Sequence, residues 1–229
     1  LLRIVIERKG MIWRTSVGRK MLMAWTGILM VLFLLGHMLG NLSFYWGAEA
    51  LNAYAEHLRA LGPILWAERL FMAGVLLVHI VLGISLAWEN SRAKPVRYAK
   101  RNYQQTGPAS RSMLYTGLVI LGFLIYHLLH FTVRVINPSI YRAASGDGHF
   151  GVYQMAEMSF QIPWISLIYL GAMVAVLLHL THGIGSFFQS TGWNTDRTMG
   201  CVNMGSVAVA AVLVAALVSI PAAFCLFGM

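Results

Sequence analysis

Charge is the scarcest commodity in this sequence: 11% of its 229 residues are charged and only eight are acidic, against 58% hydrophobic. A soluble domain carries about a quarter charged residues, so the composition leaves no room for a large one and indicates an integral membrane protein. Cysteine is nearly absent. Cys201 and Cys225 lie towards opposite ends of one apolar run, too far apart for a disulfide, and they fall short of the cysteine sets that hold iron–sulfur clusters. A glycine-rich dinucleotide fingerprint is also missing, so the chain has no sequence basis for nicotinamide or flavin chemistry of its own. The net charge of +9 raises the question of nucleic acid, but the basic residues sit in blocks beside apolar runs rather than along an amphipathic face. That placement signals membrane topology and argues against a nucleic-acid partner.

What the chain has in quantity is long apolar sequence. A membrane span needs about 20 such residues, and five windows qualify: 20–45, 64–89, 111–136, 162–189 and 200–227. The first follows Arg14, Arg19 and Lys20 like a signal peptide, yet it is too long for one, lacks a cleavage site and carries a histidine near its far end. It is read as a retained helix. The expected fold is an all-α integral membrane protein with five transmembrane helices, treated as a single domain over 1–229.

Lysine and arginine gather in the N-terminal segment (Arg3, Arg8, Lys9, Arg14, Arg19, Lys20) and in the second connection (Arg92, Lys94, Arg97, Lys100, Arg101, Arg111). The first and third connections hold only Arg59, Arg69, Arg134 and Arg142. The positive-inside rule then places the N-terminus and the second connection in the cytoplasm and the C-terminus outside. Connections one and three are long enough for short interfacial helices capping the outer face, with 52–58 as part of one.

Four of the spans carry histidine: His37, His79, the doublet His127 and His130, and the doublet His179 and His182. An ionisable residue inside a membrane is costly unless it faces a partner. Depth follows from the rise along a helix. His37 lies 17 residues beyond Lys20 and His127 lies 16 beyond Arg111, so both sit roughly 25 Å from the inner boundary. His79 precedes Glu89 by 10 residues and His179 precedes Gln189 by 10, which puts both roughly 15 Å from it. Two level pairs at two depths are what two stacked bis-histidine haems require, supplied across a four-helix bundle made by the first four spans. The rival reading of any single histidine is an interhelical hydrogen bond. Zinc fits less well, since neither layer adds the Cys, Asp or Glu that a four-coordinate site needs. Within each doublet the two rings share nearly one helix face, so spacing alone leaves the ligand open, and depth matching favours His127 and His179. His130 and His182 would then bond haem propionates, line a quinone pocket or satisfy a neighbouring helix. His57 and His149, in the connections, receive no ligand role. Span five has no histidine, and its small residues Gly205, Ser206, Ala208, Ala210, Ala211, Ala215 and Ala216 suit close packing on a neighbour.

The runs TGILMVLFLLGHMLGN around His37, HIVLGISLAWENSRAKPVRY from His79, TGLVILGFLIYHLLHF around His127 and HLTHGIGSFFQSTGWN from His179 together resemble the cytochrome b558 subunit of succinate dehydrogenases and fumarate reductases. That family is a five-helix, two-haem membrane anchor, and the resemblance extends over nearly the whole chain. It implies two haem b groups, with His37 and His127 as axial ligands of a distal haem nearer the outer surface and His79 and His179 as those of a proximal haem. In the third span the family's Thr-Gly, with a histidine ten residues after the Gly, falls on Thr116, Gly117 and His127. In the fourth, its histidine four residues before a glycine, with Gly-Trp further on, falls on His179, Gly183 and Gly192-Trp193. Its quinone-site acid has no selecting motif here among Glu49, Glu56 and Glu68. Glu68 is preferred because it precedes His79 by 11 residues on the same helix face.

The resemblance also implies partners: a flavoprotein subunit that oxidises succinate and an iron–sulfur subunit that relays electrons, both held at a bacterial or archaeal cytoplasmic membrane, with a membrane quinone as acceptor. Arg19, Lys20, Arg92, Lys94 and Arg97 are candidates for docking those subunits or pairing with propionates, against the plainer role of solvated cytoplasmic charge. Two alternatives stay open: a dihaem anchor of another quinone-linked enzyme, such as a formate dehydrogenase or hydrogenase, and a haem-free transporter using histidines as a proton relay.

Overall fold

Inside hydrocarbon every backbone N–H and C=O must find a partner within the chain, so long apolar runs become helices. A computed structural model describes residues 15–93, 107–145 and 151–227. Arg3, Arg8, Lys9, Arg14, Lys94, Arg97, Lys100, Arg101 and His149 lie outside the described residues. The described chain is helical, in the order α1 (Ser16–Leu42, continued by a 3-10 turn Ser43–Trp46), α2 (Ala48–Ala60), α3 (Pro63–Arg92), α4 (Pro108–His127, continued by a π turn Leu128–Thr132), α5 (Pro138–Ala143), α6 (Val152–Phe160), α7 (Pro163–Thr191) and α8 (Met199–Phe227). Five of these, α1, α3, α4, α7 and α8, are long and apolar enough to cross a membrane. The protein is an all-α, multi-pass membrane protein.

Helix boundaries follow local chemistry. Thr15 caps α1 by accepting the Gly18 N–H at 3.0 Å. Prolines open α3, α4, α5 and α7, where a missing N–H costs nothing. Gly192 ends α7 in the left-handed conformation, φ 73°. Span three stops at Thr132, four residues short of the expected 136. Its last turn widens to a π turn, Val133 N–H donating to Leu128 C=O at 2.7 Å, and Arg134 and Asn137 then take positive φ before Pro138. A residue preceding proline is disfavoured in the α region, so the apolar run outlasts the helix it begins.

Within the bundle α1 packs on α3 and α7, and α7 packs on α1, α4 and α8, whereas α3 meets α4 only lightly. Helices α2, α5 and α6 lie together over one end, called here the capped end. There Asn52 donates to Gln154 and accepts the Tyr153 N–H, both at 3.0 Å, while Phe44 stacks on Tyr153. Short helices are thus present in connections one and three as expected, 52–58 falling within α2. The opposite, open end carries Arg19, whose guanidinium forms a two-pronged ion pair with Glu89 across α1 and α3. Helix α8 stands outside the histidine-bearing four, pressed on α7 through Ser206, Ala210 and Leu213. Gly205, Ala208, Ala211 and Ala215 are exposed, Gly205 in a groove beside α1 and α7, so only part of its small-residue set is buried in that contact. Cys201 and Cys225 are free and exposed.

Candidate functional site

The histidines of the spans meet in two layers. His37 of α1 and His127 of α4 face each other with ring centroids 5.8 Å apart, and His79 of α3 and His179 of α7 with centroids 6.4 Å apart. These are the pairs that the depth argument makes level. An imidazole nitrogen bonds a metal ion at about 2 Å, so two rings opposed across one ion have centroids roughly 6 Å apart. Both layers have that separation.

Which nitrogen each ring offers is set by its neighbours. In the His79–His179 layer Thr26 of α1 and Thr116 of α4, both buried, lie 3.1 Å and 3.2 Å from Nδ1 of His79 and His179. Each hydroxyl gives its one hydrogen to carbonyls of its own helix, Thr26 to Leu22 and Met23, and Thr116 to Ser112 and Met113. It must therefore accept from the imidazole. Both rings are held with hydrogen on Nδ1 and a lone pair on Nε2, the form a ligand needs. Among the described residues no hydrogen bond uses Nε2 of either ring. The residue after each threonine is glycine, and a Cβ there would stand 3.3 Å from His79 Cε1 at Gly27 and 3.4 Å from His179 Cε1 at Gly117. Thr-Gly therefore supplies an acceptor and the space for the ring beside it.

In the His37–His127 layer the α4 doublet separates. His130 is fully buried, with Nδ1 3.1 Å from the Tyr169 hydroxyl and Nε2 3.1 Å from Ser159 Oγ, so both nitrogens are engaged by protein. His127 has only Nδ1 engaged, 3.3 Å from Tyr169, and its ring turns towards His37. His37 stacks on Phe33, and no hydrogen bond to its ring is found among the described residues. In the α7 doublet His182 is half-buried and has no hydrogen bond among the described residues, while His179 faces His79. His57 is exposed on α2.

Other candidates stand apart. Glu49, Glu56 and Glu68 are exposed at the capped end, and Glu68 makes no ring contact or hydrogen bond with either pair among the described residues. Arg19 is committed to Glu89, Arg92 stacks over Trp88 at 4.2 Å and Lys20 is exposed. Two shallow apolar grooves, about 450 Å³ between α4 and α7 and 340 Å³ between α1, α7 and α8, include none of the histidines. Among the described residues no three His, Cys, Asp or Glu side chains gather as a closed metal cage requires, and each layer offers two ligands.

Sequence reading passed over Thr26, Tyr169 and Ser159 as partners of the imidazoles. One signal was present: Thr-Gly followed by histidine ten residues after the glycine occurs twice, at 26–37 and 116–127, and histidine four residues before glycine occurs twice, at 79–83 and 179–183. The geometry carries that repetition into two-fold likeness, each half contributing a Thr-Gly and one ring to each layer, with the threonine accepting from its own half's ring in the His79–His179 layer. Compared with protein-family models, with curated proteins and with solved structures, the chain finds no match.

Proposed function

We propose that this chain is the dihaem cytochrome b membrane anchor of a succinate:quinone oxidoreductase, carrying electrons between an iron–sulfur subunit and membrane quinone. The observation that carries the reading is the pairing of histidines across the bundle at bis-imidazole separation, with Nε2 of all four rings unclaimed by any hydrogen bond among the described residues. Nε2 of His37 and His127 would hold one haem iron and Nε2 of His79 and His179 the other. Haem b bound there supplies one-electron redox chemistry.

The chain's own residues supply the rest. Thr26 and Thr116 accept the Nδ1–H of the ligands in one layer, which raises their basicity and holds the rings in register. Apolar spans keep water from both layers, a setting that tunes potentials through burial. The basic open end, with Lys20 and Arg92 exposed, offers a surface for soluble electron-transfer subunits on the cytoplasmic side. Succinate oxidation belongs to the flavoprotein subunit, for the chain has no fingerprint for that chemistry.

The test is a reduced-minus-oxidised spectrum of the protein purified from membranes with whatever accompanies it. The expected result is a b-type signal worth two haems per chain, reducible by succinate, together with a flavin-bearing and an iron–sulfur subunit. His79→Ala and His37→Ala should each remove a different half. A chain without b-type signal, or one whose signal survives both substitutions, overturns the reading. Haem reduced by formate or hydrogen and not by succinate assigns the anchor to another enzyme.

A further inference from the structure

Tyr169 of α7 stands with its hydroxyl between the two histidines of the α4 doublet, 3.3 Å from His127 Nδ1 and 3.1 Å from His130 Nδ1. We propose that Tyr169 is the positioning residue of His127, fixing hydrogen on Nδ1 and the lone pair on Nε2 through a one-way chain of hydrogen bonds anchored at the Met155 carbonyl. This rests on the haem reading above and names the residue that sets one ligand.

The direction of the chain follows from counting hydrogens. Ser159 Oγ lies 2.6 Å from the Met155 carbonyl, which can only accept, so the serine hydrogen points there. Ser159 must then accept from His130 Nε2 at 3.1 Å. A neutral imidazole has one N–H, so His130 Nδ1 carries a lone pair and takes the Tyr169 O–H. The tyrosine hydrogen is now used, and its oxygen receives Nδ1–H from His127. A doubly protonated His130 would be an alternative donor, but it is fully buried and no carboxylate is bonded to it among the described residues, which makes that cation costly.

Packing keeps the chain in place. Tyr169 is 7% exposed, with the rings of Phe123 and Phe160 each 5.0 Å away, and Ser159 is fully buried. The π turn begins immediately after His127, and with its wider winding both rings of the doublet reach one hydroxyl. His130, which pattern reading left between several roles, is thus the middle of the chain. In the other layer Thr26 and Thr116 do in one step what Tyr169, His130 and Ser159 do in three. His37 alone has no such acceptor among the described residues.

The test uses Tyr169→Phe in the full-length chain, a change that keeps the ring and its packing while removing the acceptor. In wild-type protein freed of haem, ¹⁵N-histidine spectra should show His127 as the Nδ1–H tautomer, and the variant should show a mixture. In the haem-loaded complex, redox titration should raise the midpoint of the haem held by His37 and His127, since a less basic imidazole favours ferrous iron, and leave the other midpoint unchanged. Haem retention in that layer should fall roughly ten- to a hundred-fold. Ser159→Ala, which frees His130 to reverse, should move the same quantities in the same direction by less, and it stands in if the tyrosine variant fails to fold. An unaltered tautomer with unaltered midpoints overturns the proposal, as does a change confined to the His79–His179 layer or equal in both. Wild-type His127 in the Nδ1–H form in a chain that never takes up haem upholds the positioning and overturns the haem reading.

Discussion

Two buried threonines illustrate how much a site depends on residues that carry no chemistry themselves. Valine matches threonine in shape, so Thr26→Val and Thr116→Val remove an acceptor and little else. Each leaves a buried imidazole N–H unpaired, at a cost of about 1–3 kcal/mol. Because Thr26 serves His79 and Thr116 serves His179, both variants act on one layer although they lie on different helices. On the proposed haem reading, the expected outcome is a roughly ten- to a hundred-fold loss of haem retention in that layer alone from either substitution, read from haem-to-protein ratio and from which half of the b-type signal disappears. Loss from the His37–His127 layer would contradict the assignment. This scale was the least legible in the sequence. Thr26 meets a histidine 53 residues away and Thr116 one 63 residues away, and helix periodicity reports only on neighbours within a turn or two. Tyr169 sits in an apolar stretch like any core aromatic, so nothing local marked it.

Elements were more legible, because hydrocarbon imposes length and composition on a span with little freedom. All five helices run within a few residues of their windows, and depth counted along them made level the rings that lie opposite each other in the structure. The misjudged end of α4 has a physical cause: hydropathy continues through Ile136, whereas backbone geometry is decided by a π turn, two left-handed residues and a proline. Close approach between elements was equally invisible. Gly40 of α1 lies under Tyr54 of α2, and a Cβ there would fall 2.7 Å from the tyrosine ring. Helix α2 cannot settle on α1 with any larger residue at that point without moving Tyr54. Gly40→Ala should therefore push the exposed Tyr54 ring aside and loosen the cap, at a cost of about 1 kcal/mol, at the low end of overpacking. Thermal melting in detergent should show the loss, with the His79–His179 layer spectroscopically intact because it lies nearer the open end.

At the scale of the whole molecule the five spans are unequally supported. In the most apolar window of each, 44% of α7 and 33% of α8 is buried within the chain, against 11% of α1 and 6% each of α3 and α4. Helices α7 and α8 thus form a protein-packed spine, while α3 leans on α1 through the Arg19–Glu89 pair and the Thr26–His79 bond and touches α4 lightly. An exposed ion pair contributes little against solvent screening, so α3 is held on one side by its packing on α1 and scarcely at all on the side of α4. A group ligated from all four helices would change that, because a ligand that binds only the assembled bundle adds its binding free energy to the assembly. On the proposed haem reading, removing haem should raise amide hydrogen exchange in α3 and α4 well before α7 and α8, and restoring haem should reverse it. Exchange rising equally in all five spans, or first in α8, would show that the bundle is held by helix packing and that the histidine pairs do not tie its halves together.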